Sequence, residues 1–343
     1  MVNLRKRSES IRRFIIASVE AHPKDIARLV ADKFEISRQA VNRHLGQLVD
    51  EGYLTSAGQT RNRTYALALL ERLVFDYRID DSLTEDRVWS TDVLPVLQQL
   101  PANVLQIWHY SFTEMMNNAI EHSEGTTIRV VAHKTAADVR IFITDDGVGI
   151  FKKIQGALDL LDERQALLEL AKGKFTTDPK RHSGEGIFFA SRMFDEYAIV
   201  SGSVIFTHNQ DEDEDWLHQR EAPTTGTTVA MKLSNHTSRT TAKVFARFST
   251  DDDFGFTKTV VPVSLAEYGD DNLVSRSQAR RLLARFERFR VVVLDFSGVK
   301  EIGQAFADEI FRVFAVLHPD VEIIAVNESQ AVRRMITRAL THL

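Results

Sequence analysis

Glu114, Asn118 and His122 recur at intervals of four, which on a helix places a carboxylate, an amide and an imidazole on one stripe beside the apolar Met115, Ala119 and Ile120. A carboxylate can orient or deprotonate water and an amide oxygen can ligate Mg²⁺, the parts that metal-assisted phosphoryl transfer needs. Taken alone, the same stripe also describes a solvated helix face. Further along, the alternating run Val139-Arg-Ile-Phe-Ile-Thr144 reads as a half-buried strand that ends in Asp145-Asp146-Gly147-Val148-Gly149. A carboxylate at a strand end can read the amino group of an adenine, and the glycines permit the backbone to turn against a ligand. By itself such a segment marks a turn.

Two more signals stand in order behind these. Gly184-Glu185-Gly186-Ile187 opens an apolar helical run through Met193, and Gly226-Thr227 enters a strand-like run to Leu233. Glycine ahead of a helix start lets backbone N–H groups face phosphate. In order and in gaps, the four segments resemble the N, G1, G2 and G3 boxes of the GHKL (Bergerat) ATPase superfamily, over residues 85–235. The resemblance implies a Bergerat α/β sandwich that binds ATP and Mg²⁺. It implies Asp145 as the adenine reader with Thr227 assisting, Asn118 as the Mg²⁺ ligand, His122 as a further cofactor contact, and Glu114 as the water-activating base of the hydrolysing branches. Gly147 and Gly149 would shape the adenine pocket, and Gly184 and Gly186 would sit by the phosphates. A lid over residues 151–183 would carry Lys172, Lys174, Lys180 and Arg181, with Lys174 among the expected cofactor contacts. The second glycine box departs from type: it is short and carries the acidic Glu185.

The elements that must hold these groups belong to a chain of 343 residues with 43% hydrophobic and 27% charged content, an ordinary size for two or three domains. There is no cysteine, which excludes disulfides and thiolate metal sites, and the eleven histidines show no zinc-ligand spacing. The first residues lack the apolar core of a signal peptide and no segment approaches a membrane span, so a cytoplasmic location without membrane contact is expected. The net charge of −5 hides an asymmetry: residues 1–65 hold 12 Lys and Arg against 7 Asp and Glu. The N-terminal end is basic.

That end reads as three helices and a ribbon. Ser8 to Val19 is helical in pattern, Pro23 opens a second periodic segment through Phe34, and Ser37 is a good N-cap for a third that Gly52 stops. Residues 53–55 and 63–67 then alternate like a two-stranded hairpin. The stretch Ile36 to Leu54 resembles the recognition helix and following wing of bacterial winged helix-turn-helix regulators. The resemblance implies that Ser37, Arg38, Gln39, Asn42 and Arg43 address double-stranded DNA in the major groove, and that the wing residues Arg61 and Arg63 grip the backbone or minor groove. Such a domain can instead mediate protein contacts or dimerisation.

The acidic run Asp211-Glu-Asp-Glu-Asp215 reads as a solvated hairpin tip. After a polar link the chain alternates strand and helix: residues 257–263, 275–289, 291–295, 305–317, 321–326 and 329–340 imply a small α/β layer. Leu294-Asp-Phe-Ser-Gly-Val-Lys-Glu-Ile302 resembles the strand-to-helix turn of STAS domains. Where those antagonists carry an acceptor serine, this chain has Gly303-Gln304-Ala305-Phe306, and Ser297 reads as a turn residue.

The expected architecture is therefore α/β multidomain: a winged helix-turn-helix at 1–75, a histidine-kinase-like ATPase at 76–240 and a STAS-like layer at 250–343. The expected function is an ATP-binding, slowly hydrolysing DNA-binding regulator in which nucleotide state controls dimerisation or DNA affinity. The layer at 250–343 would bind a protein partner or a second copy of the chain, and a homodimer is expected. A kinase acting on an outside protein and an interaction protein without turnover stay open at this point.

Overall fold

The computed structural model describes residues 2–59, 62–175, 184–210, 214–250, 255–266 and 273–341. The chain is a mixed α/β multidomain protein. It divides into two units, one of residues 1–76, 129–142 and 232–237 and one of residues 77–128, 143–231 and 238–343.

In the first unit, helices α1 (Val2–Ser18), α2 (Ile26–Phe34) and α3 (Arg38–Asp50) are followed by strands β1 (Leu54–Ala57) and β2 (Thr64–Leu67). The two strands pair antiparallel, with Leu54 opposite Leu67 and Ala57 opposite Thr64. The helices bury Ile11, Ile15, Val19, Ile26, Val30, Val41, Leu45 and Leu48 in one core that the hairpin closes with Leu54 and Tyr65. Each such aliphatic side chain contributes about 1.5–3 kcal/mol when taken from water. Ser37 caps α3 as its type and position predict, its hydroxyl accepting from the Ala40 N–H at 3.2 Å. Glu20, in the turn after α1, pairs with Arg140 at 2.5 Å and with Lys232 at 3.0 Å.

Strands β3 (Glu71–Arg78), β4 (Thr127–Lys134), β5 (Asp138–Asp145), β6 (Glu196–Asn209) and β7 (Glu214–Ser234) form a five-stranded sheet in the order β3-β4-β5-β7-β6. β5 buries alternate side chains, Val139, Ile141 and Ile143 among them, as its period-two pattern requires. Helix α4 (85–97) contains a π turn at Trp89–Val93, and α5 (Ala102–His122) follows. Val104, Ile107, Trp108, Phe112, Met115, Met116 and Ala119 form the buried stripe of α5, at helical spacing. Helices α6 (Ile150–Ala157), α7 (Glu163–Lys172) and α8 (Gly186–Met193) come between β5 and β6.

After α9 (Thr241–Arg247), strands β8 (Lys258–Pro262), β9 (Val291–Asp295) and β10 (Glu322–Val326) make a parallel sheet of order β10-β9-β8. Helices α10 (Arg276–Leu283), α11 (304–317) and α12 (Gln330–Leu340) alternate with them. These are the elements that alternation in the sequence predicts. Parallel strands need crossover connections of this length, which is why each pair is separated by a helix. Ser297 is a turn residue, its hydroxyl donating to Asp295 at 2.8 Å. Among the described residues, no helix is long and apolar enough to cross a membrane.

Candidate nucleotide site

One cavity of about 270 Å³ is lined by Glu114, Asn118 and His122 of α5, by Asp145 at the end of β5, by Gly184 and Gly186 at the start of α8, and by Thr227 of β7. Seven of the residues singled out by spacing therefore meet in one place. Apolar walls come from Met115, Ile143, Ile150, Ile154, Leu170, Phe188 and Val229. A flat aromatic base with polar edges suits such a lining.

Asp145 is 7% exposed. Its Oδ1 accepts from the backbone N–H of Gly147 at 3.0 Å and of Thr227 at 3.2 Å, which leaves Oδ2 for the cavity. Burial pushes this carboxyl above its ordinary range, and the two N–H donors pull partly the other way. Thr227 Oγ1 accepts from the Ile150 N–H at 3.0 Å, so its own proton is the one available to a ligand. The neighbouring Asp146 does different work. It accepts from both the N–H and the hydroxyl of Thr126 and of Thr127, at 2.6–2.9 Å, and these bonds, led by the Thr127 N–H, hold its carboxyl far below the usual range. Gly147 and Gly149 do not line the cavity. Gly147 supplies the N–H to Asp145, and Gly149 immediately precedes α6.

Gly186 is required by a close approach. A Cβ at this position would lie 2.1 Å from Glu114 Oε2, so the carboxylate of α5 rests directly on the first turn of α8. Gly184 backs in the same way onto the main chain of Phe175. The carboxylates of Glu114 and Glu185, together with burial as the largest cause, push the Tyr110 hydroxyl upward.

Lys174 is elsewhere. Its Nζ donates to the Arg288 carbonyl at 2.9 Å and stands 4.9 Å from the centre of the Phe289 ring. Lys172 is buried against the same part of the chain. Lys180 and Arg181 lie outside the described residues. Among the described residues, the Lys or Arg side chain that does line the cavity is Lys153 of α6, which donates to the His122 carbonyl at 2.7 Å and pairs with Glu124 at 2.9 Å. Spacing could have found it: Ile150, Lys153 and Ile154 share one helix face directly after Gly149. Asn117 and Ser123 complete the polar lining.

Asn118 and the phosphates of a nucleotide make a fitting donor set for Mg²⁺, which keeps several waters and takes few protein ligands. Among the described residues no cluster of three His, Asp or Glu side chains could hold a metal without a ligand's oxygens.

In the N-terminal unit, Ser37, Arg38, Gln39, Asn42 and Arg43 are all exposed along the first turns of α3. Arg63 donates to the Ser56 hydroxyl at 3.1 Å and lies over the Tyr65 ring. Arg61 falls outside the described residues, as do Asp211, Glu212 and Asp213 of the acidic run.

Comparison with known families gives two matches. Residues 80–205 match the model of the histidine kinase-like ATPase domain, and residues 278–333 match that of a STAS-like domain of unknown function. Neither match reaches the N-terminal helices. No curated protein matches the chain.

Proposed function

We propose that this chain is an ATP-binding, slowly hydrolysing regulator that binds double-stranded DNA, in which nucleotide state controls dimerisation or DNA affinity. The observation that carries the reading is the convergence of Glu114, Asn118, Asp145 and Thr227 on one cavity. The match to a histidine kinase-like ATPase over residues 80–205 supports the ATP ligand.

In this reading Asp145 Oδ2 accepts the adenine amino group while the Thr227 hydroxyl donates to the ring. Asn118 holds Mg²⁺, which when bound draws charge from the phosphate oxygens. The α8 N-terminus offers N–H groups to the phosphates. Glu114 orients water and accepts its proton as the water oxygen bonds to the γ-phosphorus and the bond to the leaving ADP oxygen breaks. The exposed face of α3, from Ser37 to Arg43, enters the major groove, and the basic surplus of residues 1–65 attracts the phosphate backbone. A homodimer would present two such helices.

The test is retention of random genomic DNA fragments by the full chain with ATP·Mg²⁺, with ADP and with no nucleotide. The expected result is a change in DNA affinity of about fivefold or more between nucleotide states, lost in Asp145→Asn. No DNA retention in any state would overturn the regulator reading. Transfer of γ-phosphate to a second protein would favour a kinase, the role with which the same family match is also compatible.

A further inference from the structure

The segment around the end of α7 has two faces. Leu170 and Phe175 line the nucleotide cavity, whereas Lys172 and Lys174, between them, turn to the C-terminal α/β layer. Lys172 is 1% exposed. Its Nζ donates to Glu169 Oε1 at 2.5 Å and to the carbonyls of Arg281 and Ala284 at 3.1 and 3.0 Å, at the end of α10. All three protons of the ammonium are used, and a cation at the C-terminal end of a helix is favourably placed.

The cluster continues on both sides. The second oxygen of Glu169 accepts from Arg285 Nη1 at 2.9 Å. Arg285 also donates to the Lys174 carbonyl, and Arg288 reaches the same oxygen at 3.2 Å. Thr259 Oγ1 of the β8 strand donates to the Lys172 carbonyl at 2.7 Å. Between the two lysines, a Cβ on Gly173 would fall 2.6 Å from the Phe256 ring. Phe256 in turn packs 4.5 Å from Phe188, another residue of the cavity wall. The Phe175 main chain backs onto Gly184, two residues ahead of the Gly186 that touches Glu114.

We propose that Lys172, Glu169 and Arg285 are positioning residues for the triphosphate end of the cavity. The C-terminal layer holds the Leu170 and Phe175 wall through this cluster, so nucleoside triphosphate binding and docking of the layer are coupled. The inference rests on the nucleotide reading of the cavity. It explains why the two described lysines of this segment are spent away from phosphate, and it gives the STAS-like layer a task that needs no acceptor serine. Because coupling is reciprocal, the layer must respond to the ligand as much as the ligand does to the layer.

The test uses the full chain and two ligands, ATP·Mg²⁺ and adenosine, titrated calorimetrically into wild type and Arg285→Met. The expected result is ATP affinity reduced about tenfold with adenosine affinity unchanged, partly rescued by Arg285→Lys. Unchanged affinity for both, even with a lowered melting temperature, would overturn the proposal, because a merely structural role predicts that outcome. Amide exchange of wild type gives a second reading that needs no variant. ATP·Mg²⁺ but not adenosine should slow exchange in residues 276–290, and equal exchange under both would also overturn it. Wild type that binds neither ligand refutes the nucleotide reading itself, not the coupling.

Discussion

Gly186→Ala should separate the proposed ATP hydrolysis from folding. The added methyl carbon would lie 2.1 Å from Glu114 Oε2 and 2.9 Å from its Cδ. The atoms it meets first are the far end of a flexible side chain, so Glu114 moves rather than α8, by about 1 Å to reach an ordinary contact. Turning the carboxylate off its preferred rotamer costs about 0.5–1.5 kcal/mol. Alanine in place of glycine in a helix returns about 0.5–1 kcal/mol. The two nearly cancel, and the melting temperature should stay within about 3 °C of wild type. The displaced carboxylate is another matter, since a misplacement of about 1 Å can cost about a hundredfold in rate. We therefore expect kcat for Mg²⁺-dependent ATP hydrolysis to fall about a hundredfold with adenosine affinity unchanged. Steady-state kinetics beside calorimetry on one preparation reads both. A variant that turns over like wild type would refute the role given to Glu114.

Further outcomes follow from other residues. Ser37→Ala removes the cap on α3 and should cost about 1 kcal/mol in urea unfolding, with ATP affinity untouched. Arg38→Ala with Arg43→Ala should lower the salt slope of DNA binding by about 2, measured by fluorescence anisotropy; an unchanged slope removes α3 from the interface. Asp145 yields a pH dependence. Its carboxyl is raised above the ordinary 3.8 in the fold, so its stabilising contribution is whole below that value and is lost as pH rises through the folded value. Asp145→Asn, neutral throughout, should gain stability over ligand-free wild type as pH rises from the ordinary 3.8 through the folded value, read by chemical denaturation, and a pH-independent difference contradicts the burial argument.

Much of this was legible from local pattern. The alternation of β5, the periodicity of α5 and the glycines at 184 and 186 are properties of neighbours in sequence, and the cavity joins those elements. The six elements of the C-terminal layer are legible for the same reason. What was not legible depends on distant partners. Lys172 reads as a solvated lid cation until the Arg281 and Ala284 carbonyls, more than a hundred residues away, enclose it. Asp145 and Asp146 are indistinguishable as letters. Only the threonine pair at 126 and 127 shows that the second carboxylate is consumed by the start of β4 while the first keeps an oxygen for a ligand. Lys153 shares a helix face with Ile150 and Ile154, but that spacing points to the cavity only once Gly149 is seen to precede a helix start.

Calorimetric titration of ATP·Mg²⁺ into wild type and Asp145→Asn tests the central claim most directly. An asparagine here keeps one oxygen for the Gly147 and Thr227 N–H groups and turns its NH₂ to the cavity, donor against the adenine amino donor. Losing a charge-assisted bond and burying an unpaired donor together cost about 3–5 kcal/mol. The account predicts ATP binding by wild type and binding at least about a hundredfold weaker by the variant. Equal binding by both proteins, or none by wild type, would contradict it.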